Sequence, residues 1–198
     1  PPFRVVRVTK APLIDGVVSP NEYNGAVLPL GETPSRDKIQ KGPGAARLSH
    51  DGKRLYIAVT IPLETPGKIK GTGDWGAADA VEIVLRWHSA LPATPHGPTF
   101  VLQGFADGRS IQSAAAGAPA EAMTKLQKGI GYAAKTDANS WTAEWSIPLA
   151  EAGLNFQPGL TLGFNIGARR LESDDWLVWT GTNRENWRLD GAGRIILD

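Results

Sequence analysis

The sequence predicts an all-β protein: an antiparallel β-sandwich of about ten strands with one or two short helices. Two patterns carry this expectation. Apolar–polar alternations of period two recur along the chain, the spacing that sends successive side chains to opposite faces of a strand. Turn signals, mostly Asp-Gly, Gly and Pro, separate them at intervals of roughly 8–15 residues. No repeat of roughly 20–50 residues is visible, which argues against a propeller or a solenoid. A length of 198 residues fits one domain, residues 1–198.

Taken in order, Phe-Arg-Val-Val-Arg-Val at 3–8 is the first strand, and Asp15-Gly16 turns the chain. Ser19-Pro20-Asn21-Glu22 has the capping-box pattern, with Ser at the N-cap, Pro at N1 and Glu at N3. It predicts a short helix ending near Gly25. The Gly-, Pro- and charge-rich run 31–44 is loop. Residues 45–49 and 54–61 make a hairpin about Asp51-Gly52, with Leu55, Ile57, Val59 and Ile61 on one face. A loop over 62–74 delivers Trp75 to a strand in which Val81, Ile83 and Leu85 alternate with Glu82, Val84 and Arg86. Pro92, Pro95, His96, Gly97 and Pro98 form another irregular segment. Strands at 99–105 and 109–113 flank Asp107-Gly108, the run 114–122 reads either as loop or as a weak helix, and 130–135 is a further strand. The cleanest alternation follows: Trp141, Ala143, Trp145 and Ile147 against Thr142, Glu144 and Ser146. Pro148 stops it, leaving at most one helical turn at 149–153. Strands at 160–168, 176–180 and 194–197 complete the sheets, and the loop 181–193 carries Trp187.

Composition excludes several functions. A net charge of +1 argues against a nucleic-acid partner, which needs clustered Lys and Arg. The absence of cysteine rules out disulfides and thiolate chemistry. No apolar run approaches the roughly 18–20 residues of a membrane helix, so no membrane partner is expected. The chain starts at Pro1 with no signal-like segment and is expected to be a mature or excised piece of a longer protein. Seven tryptophans against one methionine is more indole than a core requires.

Six segments, in this order, resemble carbohydrate-binding module family 9 and its relatives, a group that includes the cytochrome domains of some dehydrogenases. They are Ala11–Gly16 with Glu22-Tyr23, Asp51–Val59, Asp79–Ile83, Trp141–Pro148, Gly163–Ile166 and Gly193–Leu197. The resemblance implies a secreted bacterial β-sandwich that binds an oligo- or polysaccharide without catalysis and is covalently linked to a polysaccharide-degrading catalytic domain. In that family two tryptophans sandwich a terminal sugar, and bound calcium is common. Trp75 matches the first tryptophan in place and Trp187 the second. The arginine that the resemblance leads one to expect near 99–105 is absent; Val101 or Gln103 stands there.

The chemistry suits such a site. An indole face covers the C–H face of a pyranose, while amides, carboxylates and guanidinium groups serve the hydroxyl rim. Trp75 and Trp187 sit among Gly, Asp, Asn and Arg, a context that favours exposure, although a tryptophan anchoring a loop to the core has the same context. Glu82 reads as a hydroxyl acceptor beside Trp75 or as a solvent-facing or Arg-paired carboxylate. Gln103, Asn165, Arg169, Asn183 and Asn186 are the other rim candidates. Trp141 and Trp145 belong to the core. Asp74 and Asp79 are the candidate calcium ligands, but no Asp-x-Asp-x-Asp-Gly loop is present and ordinary turn acids are the simpler reading. His50, His88 and His96 lack metal-ligand spacing, and His50 reads as part of a turn. Met123, beside Ala122 and Thr124, reads as packing, and no haem is expected. The alternatives are a haem-binding electron-transfer domain, a structural accessory domain of a glycoside hydrolase, and a glycosidase acting through Glu82 and Glu144.

Overall fold

The strands 44–50 and 54–62 form where alternation and an Asp-Gly turn coincide. In the computed structural model, which describes residues 1–89 and 95–198, they are β3 (Gly44–His50) and β4 (Arg54–Pro62). Gly52 takes the positive φ of 88° that the turn needs, and Asp51 Oδ1 accepts from Lys53 N and Arg54 N, both at 2.8 Å. Leu55, Ile57, Val59 and Ile61 are wholly buried. Across from β4 runs β9 (Ser140–Pro148), in register Ile57↔Trp145 and Val59↔Ala143, which adds Trp141, Trp145 and Ile147 to the same inner face.

One sheet therefore comprises β2 (Leu28–Leu30), β3, β4, β9 and β8 (Gly131–Thr136). The other comprises β7 (Ser110–Ser113), β6 (Phe100–Phe105), β5 (Ala80–Trp87), β10 (Leu160–Arg170) with β11 (Asp175–Val178), and β12 (Gly193–Leu197). The first strand, β1 (Phe3–Arg7), belongs to both: Phe3 to Val5 pair with β12 and Val6 and Arg7 with β3. Both pairings are parallel, so the expected purely antiparallel sandwich is a mixed one, and among the described residues twelve strands replace the expected ten or so. Inner faces meet in one core, to which the second sheet contributes Val81, Ile83, Leu85, Leu102, Phe164 and Ile166. At the edge opposite β1 the sheets come so close that a Cβ on Gly104 would lie 2.4 Å from both Trp145 and Tyr132 ring carbons, which only glycine permits. Tyr132 spans that seam, its hydroxyl donating to the Phe105 carbonyl at 2.8 Å.

Helical structure differs from expectation in two places. No helix opens at Ser19. Glu22 does reach back, accepting from Ser19 N at 2.9 Å, but its second oxygen accepts from Leu13 N and Asn21 adopts φ 63°, so the capping residues close a turn instead. The helix lies at α1 (Ala120–Gly129), later than the ambiguous run 114–122 suggests. Its residues Ala, Glu, Met, Lys, Leu and Gln are strong helix formers. It buries Leu126 and is tied to β7 through Gln112 Nε2 donating to the Met123 carbonyl at 2.6 Å. Met123 packs against the main core from this helix. The turn after Pro148 is a single 3-10 turn over Ala150–Ala152. His50 is the end of β3 rather than turn, wholly buried with its ring 5.1 Å from that of Phe156. Pro92 lies outside the described residues, and none of the helices found is long and apolar enough to cross a membrane.

Candidate functional site: a tryptophan-walled cleft

The outer face of the second sheet is built in rows, because residues directly opposite on paired strands share a face. The middle row runs Gln103 on β6, Glu82 on β5, Gly167 on β10 and Val178 on β11. On one side lies the row Phe105, Ala80, Arg169 and Trp176; on the other, Val101, Val84 and Asn165. Trp75 packs on Ala78, Ala80 and Phe105, and Trp187 packs on Val84, Val101 and Leu189. The two indoles, from loops more than a hundred residues apart in the chain, thus stand on either side of the middle row. Between them is a cleft of about 370 Å³. Gln103, Glu82, Gly167 and Val178 floor it, and Trp75, Trp176, Trp187, Asn186 and Pro34 are among its walls.

The floor is polar and buried. Glu82 is 3% exposed. Gln103 Nε2 donates to its Oε2 at 2.7 Å and Asn186 Nδ2 to its Oε1 at 3.2 Å. Burial pushes the Glu82 carboxyl above the usual carboxylate range, against the opposing pull of the two amides. No cation pairs with it among the described residues; Arg86, its neighbour on β5, is paired with Asp190 at 2.7 Å. Gly167 leaves room for the arrangement, since a Cβ there would sit 3.1 Å from Asn186 Nδ2.

The walls are braced from behind. Trp75 and Trp176 meet edge to face, centroids 5.4 Å apart at 62°. The Arg169 guanidinium lies 5.0 Å from the Trp176 ring centroid and donates to the Gly76 carbonyl at 3.1 Å and the Asp175 carbonyl at 3.3 Å. It also pairs with Asp174. Arg188 covers the Trp187 ring at 4.3 Å and pairs with Glu185 at 3.4 Å.

Of the residues singled out from sequence, the fold brings Trp75, Trp187, Glu82, Gln103 and Asn186 into one cleft. It does not bring Asn165, Arg169 or Asn183 into the lining. Asn165 is wholly buried and clamps the turn after β11, its Nδ2 donating to the Thr180 carbonyl and its Oδ1 accepting from Thr180 N. Arg169 is the brace just described. Asn183 is exposed, in the left-handed region at φ 59°, with its N–H on the Pro34 carbonyl at 2.8 Å. Trp176, left unassigned from sequence, lines the cleft, as does Gly167. Only the strand register reveals either, for neither stands in a loop context that marks it.

The residues do not fit a calcium site at Asp74 and Asp79. Asp79 is buried with both oxygens taken by backbone donors, Lys70 N at 2.7 Å and Leu171 N at 2.9 Å, so it is the tie that holds the Trp75 loop to the end of β10. Asp74 is exposed, and no group of three or more His, Asp or Glu able to hold a metal occurs among the described residues. Glu144 does not partner Glu82. It lies on β9 in the other sheet, beneath the N-terminal loop.

In its fold the chain is similar to solved structures of carbohydrate-binding module family 9. A family 9 module from Caldicellulosiruptor kristjanssonii in complex with cellotriose superimposes with a TM-score of 0.68 at 15% identity, covering 99% of this chain and 93% of that one. The same module in complex with glucose gives 0.69 at 16% identity, over 98% and 95%. A candidate carbohydrate-binding protein from Bacteroides uniformis gives 0.57 at 12% identity over the full length of both chains. No protein-family model and no curated protein matches the chain by sequence.

Proposed function

We propose that the protein binds a saccharide without turning it over, holding a pyranose ring between Trp75 and Trp187 with Trp176 closing the wall beside Trp75. The observation that carries this reading is the cleft itself: indoles from two distant loops lining it on either side of a buried row of Gln103 and Glu82, with Asn186 beside it. Indole faces cover the C–H groups of a sugar ring, and the row beneath them supplies the hydrogen-bond partners that its hydroxyls require. Glu82, Gln103 and Asn186 touch the sugar; Arg169 and Asn165 act by holding the walls in place. The solved family 9 module binds cellotriose and glucose, which supports a hexose-sized ligand. In this reading the domain is secreted and directs an attached polysaccharide-degrading enzyme to its substrate.

Titration calorimetry against a panel of mono- and oligosaccharides tests it. Trp75→Ala and Trp187→Ala should each weaken binding by at least about tenfold, with the melting temperature nearly unchanged because both rings are half-exposed. Wild-type affinity surviving both substitutions would overturn the proposal.

A further inference from the structure

The floor of the cleft is an acceptor surface. An ionised carboxylate only accepts, so both amides that touch Glu82 must turn their NH2 groups to it, and their oxygens away. Each Glu82 oxygen then has one hydrogen bond from the protein and one lone pair left. Asn186 Oδ1 is buried with no partner. The charged groups about Glu82 are few. Arg184 and Glu185, from the loop before β12, are exposed in the cleft wall, and Glu185 is paired with Arg188 over Trp187; Arg169, in the next row, is spent on Gly76, Asp174 and Asp175. A buried carboxylate with no cation paired to it, beneath three indoles, is an unbalanced site. What balances it is a ligand bringing donors and positive charge, since an ammonium both pairs with a carboxylate and is attracted to indole faces.

We infer that the cleft prefers an amino sugar, a pyranose carrying a protonated primary amine, over the neutral hexose of the same shape, and that it disfavours the corresponding uronic acid. This rests on the saccharide-binding reading and narrows its ligand class. The ammonium donates to the free lone pairs of Glu82 and to Asn186 Oδ1, whereas a uronate adds a second negative charge to a cleft whose one wall cation, Arg184, is exposed and not paired with Glu82.

The test is calorimetric competition on the intact protein with four ligands of one ring shape: glucose, glucosamine, N-acetylglucosamine and glucuronate. Glucosamine should bind about tenfold tighter than glucose at neutral pH, the gain of one charge-assisted over one neutral hydrogen bond. N-acetylglucosamine, which keeps the nitrogen but not the charge, should lose that gain, and glucuronate should bind more weakly than glucose. The ratio of glucosamine to glucose affinity should rise as Glu82 ionises and fall as the amine loses its proton, a bell that glucose alone does not show. Glu82→Gln should collapse the ratio toward one, whatever it does to either affinity; should that variant bind too weakly to measure, the wild-type pH profile decides. If glucose binds and the amine adds nothing, or if glucuronate binds as well as glucose, this inference fails while saccharide binding stands. If none of the four sugars binds, the saccharide reading falls and takes this one with it.

Discussion

Glu82 and Glu144 occupy the same kind of place. Each sits in an alternating strand, on the outer face of its sheet, flanked by core residues, and burial pushes each carboxyl above the usual range. What differs is the cover. Over Glu144 lies the N-terminal loop: Gly16 N donates to Oε2 at 2.7 Å, Asp15 N at 3.0 Å, and the Tyr23 hydroxyl donates to Oε1 at 2.9 Å. Those donors belong to the backbone and to a tyrosine wholly committed to the contact, and nothing further can enter. Over Glu82 lies a cleft, and its two amide partners leave lone pairs facing it. One carboxylate is a rivet and the other the floor of an open cleft, and the distinction resides in segments distant in sequence rather than in the strands themselves.

The largest effect should come from breaking the rivet. Glu144→Ala leaves two backbone N–H groups and a phenol buried without an acceptor, and should destabilise the fold by about 3–5 kcal/mol in urea unfolding. Tyr23→Phe removes one of the three contacts and should cost about 1 kcal/mol. In both variants the folded fraction should keep its saccharide affinity, because the cleft is on the other sheet; a parallel loss of affinity would mean the two faces are coupled.

The floor should respond in the opposite sense. Burial raises the Glu82 pKa above its unfolded value, so the fold favours the protonated acid. Its stabilising contribution is complete below the ordinary glutamate pKa and is lost as pH rises through the raised one. Glu82→Gln should therefore increase the melting temperature at neutral pH by roughly 2–4 °C, the change that about 1 kcal/mol makes in a domain of this size, while weakening sugar binding. Below the ordinary glutamate pKa the two melting temperatures should converge. A variant less stable than wild type at neutral pH would show that Glu82 is a second rivet.

Much of this was legible in the sequence because alternation is local. Leu55 to Ile61, Val81 to Leu85 and Trp141 to Ile147 announce both their strands and their buried faces, and Trp75 and Trp187 are marked by polar, glycine-rich loops. What was not legible depends on register. That Gln103, Glu82 and Gly167 form one row, that Trp176 falls in the next, and that Arg169 lies behind the wall follow from pairings between residues up to 89 positions apart. The false helix at Ser19 has a different origin: the capping residues make their usual bond, but Asn21 at φ 63° and the pull of Glu144 on Tyr23 turn the chain elsewhere. Tertiary contact outweighed a local signal there, as propensity arguments allow.

The brace behind the wall should show an intermediate effect. Arg169→Met keeps the aliphatic bulk but loses the hydrogen bonds to the Gly76 and Asp175 carbonyls and the charge over Trp176. Affinity should fall about three- to tenfold, through loss of order in the Trp75 loop rather than of a sugar contact. Tryptophan fluorescence of the free protein should shift toward that of exposed indole, and Arg169→Lys, which keeps the charge but not the planar fork, should recover only part of the affinity. An unchanged emission spectrum with the same affinity loss would instead make Arg169 a direct contact.

The smallest effect is expected at Asn183, and its smallness is informative. Its backbone is left-handed and its N–H is fixed on Pro34, a residue of the cleft wall, while its side chain is exposed. The position needs a residue that tolerates positive φ, and asparagine does so with little strain. Asn183→Gly should leave both stability and saccharide affinity within about twofold of wild type, because glycine adopts the same conformation and no ligand contact is lost. Asn183→Ala should lower stability by about 1 kcal/mol through backbone strain, again without a specific loss of affinity. If both variants instead lost affinity equally, the amide would be reaching the sugar from the loop, and the rim of the cleft would extend beyond the row of Gln103 and Glu82.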